Sequence, residues 1–292
     1  MTPAQDMALA LAIRAVGLPL LATLLVLGAL RVQARWLRRP GSPAGQPEDP
    51  GPVLAAAIWA GVVGVRGLPR WPVADTLDLL GPLALLASLA ARTIGAVPES
   101  RKRAAEWALG ILAAVAIGWL LMVPPGVPGA VMSVGPGALA IGVTWALGAL
   151  GRTGGHPGTW HAVFAVSAAG SATMLAVSAS ALLGQVAASL ALSGGILALI
   201  AFLRPGIAPG PSATAALAAA QGGLLAYGWA FTEAPRIPLL LALAIPASAA
   251  VGRRGHGWWT SRGLPVGIAL ALSGAVVAWS LLAAPDPSPY PY

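Results

Sequence analysis

Residues 159–203 read TWHAVFAVSAAGSATMLAVSASALLGQVAASLALSGGILALIAFL and contain no Asp, Glu, Lys or Arg. Similar apolar runs recur along the whole chain. Hydrophobic residues make up 57% of the 292 residues, charged residues make up 9%, and the mean hydropathy is +0.79. A soluble protein of this length needs far more polar residues to cover its surface. The sequence therefore predicts that most of the chain lies in a lipid bilayer.

Ten apolar segments are separated by clusters of Pro and Gly, which favour loops. The segments lie at about residues 7–30, 52–69, 73–95, 104–123, 130–150, 159–182, 185–203, 212–231, 236–251 and 264–284. Each is longer than a membrane barrel strand of ~10 residues, and none alternates apolar with polar residues. We therefore predict an all-α, polytopic transmembrane helix bundle with about ten membrane-spanning helices, a single integral membrane domain of residues 1–292.

The basic residues sort between the two sides of such a bundle. If the segments alternate in direction, twelve Arg and Lys residues fall in loops on one side, and Arg66, Arg70 and Arg236 fall on the other. Because basic residues accumulate in cytoplasmic loops, we predict that the first side is cytoplasmic and that both termini are extracytoplasmic. The segment 53–69 is short, and a re-entrant segment there is the alternative. A re-entrant segment would undo the charge sorting, which favours a full crossing.

The remaining composition narrows the classes of function. The chain has no Cys, which excludes disulfides and thiolate sites. The formal net charge of +8 is explained by loop orientation, so we expect no nucleic-acid partner. The abundance of Arg, Ala, Gly and Pro is typical of high-GC bacterial genomes, and we expect a multi-pass protein of the bacterial inner (cytoplasmic) membrane. We expect no cofactor, no catalytic residue and no metal site, since the His residues lack ligand spacing.

The densest group of polar side chains is predicted at the extracytoplasmic face. It comprises Arg66, Arg70, Asp75 and Asp78. Asp75 and Asp78 are three residues apart, so they share one face at the start of a helix, where acidic groups are favoured. We expect contacts between these carboxylates and the guanidinium groups, with Arg14 as a further partner. The group is either a structural ion-pair cluster or a site for a polar or anionic headgroup.

Neutral polar side chains recur within the segments 159–182, 185–203 and 212–231. The candidates for a substrate path are Gln221, Gln185, Ser189, Ser193, Ser171 and Ser178. One interpretation is helix packing through small residues and interhelical hydrogen bonds. The other is a polar seam along a substrate path, with a helix broken beside Gln221. In both, Gln221 must face the serines of the two preceding segments, because an unpaired amide in hydrocarbon is costly.

Three functions remain open, and none has a decisive motif. The favoured function is a permease- or flippase-like transporter of a neutral or amphiphilic small molecule. Residues 52–125 and 211–285 have a similar outline, and an internal duplication would favour a transporter-type fold. The first alternative is a non-catalytic membrane subunit or scaffold, with helix–helix contacts to other membrane subunits. The second is an enzyme acting on lipid-linked substrates, which is less favoured. The one partner expected in all three is the bilayer.

Overall fold

A computed structural model describes residues 49–68, 75–122, 134–152, 156–203, 207–232, 234–254 and 257–283, and some positions between residues 17 and 28. Every regular element in these ranges is a helix. The all-helical class predicted from the hydropathy is therefore confirmed. Of the first predicted segment, 7–30, the described positions are helical and the others lie outside the described residues.

The helices follow the predicted segments closely. They are α1 (Gly51–Arg66), α2 (Leu80–Arg92), α3 (Glu99–Met122), α4 (Val134–Arg152), α5 (Pro157–Ser178), α6 (Ala181–Leu203), α7 (Pro211–Leu217), α8 (Gly223–Phe231), α9 (Arg236–Ala244) and α10 (Leu264–Ala283). Short turns extend several of them: 3₁₀ turns at Thr76–Leu79, Thr93–Ala96 and Ile245–Arg254, and π turns at Ala218–Gly222 and Trp259–Gly263. The π turn at Ala218–Gly222 joins α7 to α8, and these three parts together are called the central helix below.

Six helical segments of the described chain are long and apolar enough to cross a membrane. They are Thr76–Ala96, Glu99–Met122, Val134–Arg152, Pro157–Ser178, Ala181–Leu203 and Trp259–Ala283. Two further apolar helices, Gly51–Arg66 and Arg236–Val251, are shorter. The fold is thus an all-helical bundle with six membrane-capable helices, and the predicted number of ten spans goes beyond this finding.

The central helix forms the core of the bundle. Every residue from 212 to 226 is buried, and the helix packs against α1, α2 and α4. Small side chains make this burial possible because they let neighbouring backbones approach closely. A Cβ atom on Gly222 would lie 2.8 Å from the Cα atom of Ile141 on α4. Close-packed interiors leave no room for such an addition, so the small residues determine the spacing of the helices.

Helix α1 packs against the first part of the central helix, Pro211–Leu217, and polar contacts link its two ends to neighbouring elements. At one end, the carboxylate of Asp49 accepts hydrogen bonds from the N–H groups of Gly51 and Ser212. At the other end, Asp75 links Arg66 to Tyr227. We call these two ends of the bundle the Arg152 end and the Arg66 end, after residues described below. With 16 residues, α1 is one of the two shorter apolar helices, and its two ends lie at opposite ends of the bundle.

Helix α1 stops at the Arg66 end because of the glycine that follows it. Gly67 has φ 86° and donates its N–H group to the carbonyl of Val63. A positive φ of this size is the left-handed region, which glycine adopts without steric cost. The chain therefore turns away directly after Arg66, and this leaves the guanidinium group at the surface of the bundle beside the start of the next helix.

Candidate functional site

Three of the side chains predicted to meet at the Arg66 end, those of Arg66, Asp75 and Asp78, are in contact there. The Nη1 atom of Arg66 lies 2.7 Å from Oδ2 of Asp75, and its Nε atom lies 2.7 Å from Oδ1 of Asp78. The side chain of Asp75 also accepts a hydrogen bond of 2.9 Å from the N–H group of Leu77, which caps the turn that precedes α2. One guanidinium group thus binds both carboxylates. Arg70 and Arg14, also expected here, lie outside the described residues.

Tyr227 is a member of this cluster that sequence reasoning missed. Its hydroxyl group donates a hydrogen bond of 3.2 Å to Oδ1 of Asp75. Tyr227 lies 152 residues beyond Asp75 in sequence, and one tyrosine in an apolar segment carries no signal of its partner. With Arg66 on one oxygen and Leu77 and Tyr227 on the other, both carboxylate oxygens of Asp75 already have partners within the protein. The geometry therefore favours the structural interpretation of the cluster.

A second polar cluster lies at the opposite end and was not predicted. Asp49 accepts hydrogen bonds from the N–H groups of Ser212 at 2.8 Å and Ala213 at 3.0 Å, so it caps the start of the central helix. Arg152, at the end of α4, forms an ion pair with Glu106 on α3. Glu106 is the one acidic residue of the predicted segment 104–123. Arg152 lies on the following helix, so its ion pair with Glu106 forms only when α3 and α4 pack together.

A small polar cavity of about 80 Å³ adjoins the second cluster. Arg152, His156 and Thr159 are among its lining residues. His156 caps α5, since its Nδ1 atom accepts a hydrogen bond of 3.1 Å from Gly158, and its ring stacks on Phe202. Burial and, to a smaller extent, the nearby charge of Arg262 lower the pKa of His156. The imidazole is therefore held mainly in the neutral form that can accept this hydrogen bond.

His161, the other described histidine, does not join His156 in a site. His161 is buried in α5, where its ring meets the ring of Trp160 edge-on with centroids 5.0 Å apart. Neither ring nitrogen of His161 has a hydrogen-bond partner among the described residues. His256 lies outside the described residues. His156 and His161 thus serve as a helix cap and a core side chain in this geometry.

Gln221 faces the interior of the bundle, as its sequence position requires. It lies in the π turn of the central helix, is 1% exposed, and donates from Nε2 to Oγ of Ser167 on α5 over 2.5 Å. Its other amide atom, Oε1, is buried and has no partner within the described part of the chain. A primary amide can accept two hydrogen bonds at this oxygen. Among the described residues, the amide nitrogen of Gln221 thus has a partner and its oxygen has none, and we call this buried side chain half satisfied.

The serines predicted to line the path with Gln221 mostly bond within their own helices. Ser171 donates to the carbonyl of Ser167 at 2.9 Å, and Ser178 donates to Met174 at 2.6 Å. On α6, Ser189 donates to Val186 at 2.7 Å and Ser193 to Ser189 at 2.8 Å. Gln185 is half-buried. These bonds satisfy the hydroxyl groups without a partner helix, so the described interhelical bond of this group is the one between Gln221 and Ser167.

An apolar cavity of about 350 Å³ lies between α4, α8 and α9. Its described lining consists of Pro136, Leu139, Ala140, Leu225, Ala226, Trp229, Leu239, Leu240 and Leu243. Leu139 and Leu240 are 65% and 53% exposed, so the cavity opens sideways, toward the surroundings of the bundle. At its Arg66 end, the guanidinium carbon of Arg236 lies 5.3 Å from the ring centroid of Trp229. The uniform apolar sequence gave no sign of this cavity.

Gln221 and the apolar cavity are near neighbours along the central helix. Leu225 lies four residues after Gln221, which places it one turn further toward the Arg66 end. The middle of the bundle thus combines a helix irregularity, a half-satisfied amide and an adjoining apolar space. No family model and no curated protein matches the chain, so the function is argued from these features alone.

Proposed function

We propose that the protein is a permease- or flippase-like transporter of a neutral or amphiphilic small molecule. The observation that carries the proposal is the half-satisfied Gln221 in a π turn at the centre of a buried helix. Single π turns inside α-helices occur frequently at functional sites. Transporters commonly bind their substrates near the membrane midplane, beside helices that are interrupted there. A substrate group that donates a hydrogen bond to Oε1 of Gln221 would complete the amide.

The transport proposal includes the ten-span topology in the bacterial inner membrane with both termini outside. Contacts at the two ends of the bundle support alternating helix directions. Residues 49, 152 and 212 meet at one end, and residues 66, 75 and 227 meet at the other. The parallel course of α1 and the central helix, each beginning with Gly-Pro, also suits the proposed internal duplication.

The test of transport compares Gln221→Leu with wild type in reconstituted vesicles. The measured flux is the transfer of a fluorescent phosphatidylglycerol between leaflets, followed by quenching from outside, together with the melting temperature. We expect the variant to fold with a small loss of stability, because interhelical polar contacts in membranes contribute only ~0.6 kcal/mol on average, and to lose most of the flux. Thr144→Val is the matched control, since the Thr144 hydroxyl is buried and bonds only within α4.

Two outcomes would contradict the transport proposal. One is a wild-type flux no greater than that of vesicles without protein. The other is an unchanged flux in the Gln221→Leu variant, which would leave the bond to Ser167 as a packing contact. Either outcome would move the non-catalytic subunit ahead of the transporter.

The subunit alternative is supported by the outward faces of α3 and α10. Only 33% and 22% of the residues in their most apolar stretches are buried. Such faces suit lipid or the helices of another membrane protein equally well. A subunit would co-purify with the same partner at a fixed ratio, and mild detergent would be needed to retain it. The enzyme alternative has less support, because the protein itself occupies the carboxylate of Asp75.

A further inference from the structure

The apolar cavity has the shape and chemistry of a site for a hydrocarbon chain. Its volume of about 350 Å³ is at the lower end of the ~300–1,000 Å³ typical of ligand pockets. Among its described lining residues, Trp229 at the Arg66 end is the one with a polar side-chain atom, and the aliphatic remainder of the lining offers no side-chain hydrogen bond to a polar ligand. A polar solute that entered it would lose its water without compensation. The lateral opening past Leu139 and Leu240 would let a chain enter directly from the bilayer.

A basic group marks one end of the cavity. Arg236 is exposed and lies over the ring of Trp229, which itself lines the cavity. Arg236 forms no ion pair with any carboxylate of the described residues. Tryptophan rings are favoured at the level of lipid headgroups, so Trp229 and Arg236 would lie where the apolar chain of a lipid meets its headgroup.

We propose that this cavity holds one acyl chain of an anionic membrane lipid whose phosphate contacts Arg236. The arginine provides the charge complementarity, because a guanidinium group forms charge-assisted hydrogen bonds with phosphate oxygens. The lipid belongs to the leaflet at the Arg66 end. This inference rests on the proposed function, since it names the class of amphiphile that a flippase-like protein would receive, and Gln221 lies one turn deeper along the same helix.

The site can be tested by native mass spectrometry of the purified protein with an equimolar mixture of phosphatidylglycerol and phosphatidylcholine. We expect wild type to retain one phosphatidylglycerol in preference to phosphatidylcholine. Arg236→Gln should lower that preference by roughly tenfold, the order expected for the loss of one charge-assisted hydrogen bond. Arg92→Gln is the control, because Arg92 is also exposed but ends α2 at the opposite end of the bundle.

A second variant separates the chain from the headgroup. Ala226 lines the cavity, and Ala226→Leu would fill part of the space, so we expect weaker retention of both lipids. The site is overturned if wild type shows no preference between the lipids, or if Arg236→Gln retains phosphatidylglycerol as wild type does. Leaflet transfer without selective binding would overturn the lipid site and leave the transport function standing. Selective binding without transfer would uphold the site as a structural lipid site and overturn the transport function.

Discussion

At the scale of single residues, the charged groups act as ties between the ends of helices. Arg66 joins α1 to the turn before α2, and Asp49 joins the start of α1 to the start of the central helix. Asp49 supplies acceptors for N–H groups that the first turn of any helix leaves without partners. Each tie uses one side chain for several bonds. A few charged side chains therefore connect several helix ends in a chain of which only 9% of the residues are charged.

The first prediction concerns Arg66, which serves two carboxylates at once. Arg66→Gln would leave Asp75 and Asp78 close together without a cation. Their side chains are only 31% and 13% exposed, so the cost lies between that of exposed and buried pairs. We expect a loss of stability of about 1–3 kcal/mol, measured as a lower melting temperature in detergent. Tyr227→Phe removes one neutral donor to the same cluster and should cost about 1 kcal/mol.

The comparison between these two variants decides the role of the cluster. A melting temperature of Arg66→Gln equal to that of wild type would contradict the structural role and return the cluster to the headgroup-site interpretation. A smaller loss in Tyr227→Phe than in Arg66→Gln is expected because the tyrosine contributes a single hydrogen bond.

At the scale of helices, small residues decide which faces come together. The central helix is rich in Ala and Gly, and its neighbours lie against its backbone rather than against long side chains. In a bilayer this arrangement is favoured by van der Waals contact, because lipid chains are as apolar as the helices themselves.

The second prediction compares two glycines in apolar helices. A Cβ atom on Gly222 would lie 2.8 Å from Cα of Ile141, whereas a Cβ atom on Gly195 of α6 would meet nothing within 4 Å. Gly222→Ala should therefore push α4 away from the central helix and lower stability by about 1–3 kcal/mol. Gly195→Ala should leave the melting temperature unchanged or raise it, because alanine favours helix by ~0.5–1 kcal/mol. Equal effects in the two variants would contradict the packing of α4 on the central helix.

At the scale of the whole molecule, both ends of the bundle are tied and its outward faces are apolar. The central helix lies among α1, α2, α3, α4 and α9, and its residues from 212 to 226 are all buried. Helix α1 is short, yet its ends match the two ends of the central helix. A short helix can cross a bilayer when residues at its ends, such as Arg66, extend toward the headgroups.

The third prediction tests the ten-span topology directly. Reporter domains fused after Arg39, Arg103 and Arg254 should lie in the cytoplasm, and a reporter at Tyr292 should lie outside. The expectation follows from the unequal division of basic residues between the two sides. A reporter after Arg103 on the side opposite to that after Arg39 would mean that residues 53–69 do not cross fully. A reporter after Arg254 outside the cytoplasm would contradict the map of the second half.

The amino-acid sequence alone determined the helical class, the approximate segment bounds and the cluster of Arg66, Asp75 and Asp78. Hydropathy is a local property that can be read from windows of ~20 residues. The three charged residues lie at or beside the single connection between α1 and α2, so their closeness in sequence is enough to predict their contact. The inward position of Gln221 followed from the cost of placing an amide in hydrocarbon. Its partner on α5 was expected only as one of several serines.

Only the tertiary structure decided the contacts between distant segments. The cap of the central helix by Asp49 joins residues 163 positions apart, the bond between Gln221 and Ser167 joins residues 54 positions apart, and the lateral cavity needs three helices at once. These helices are apolar on all sides, so their sequences do not specify which face each turns toward its neighbours. That rotation is set by the close packing of small side chains, which exists only once the helices have met.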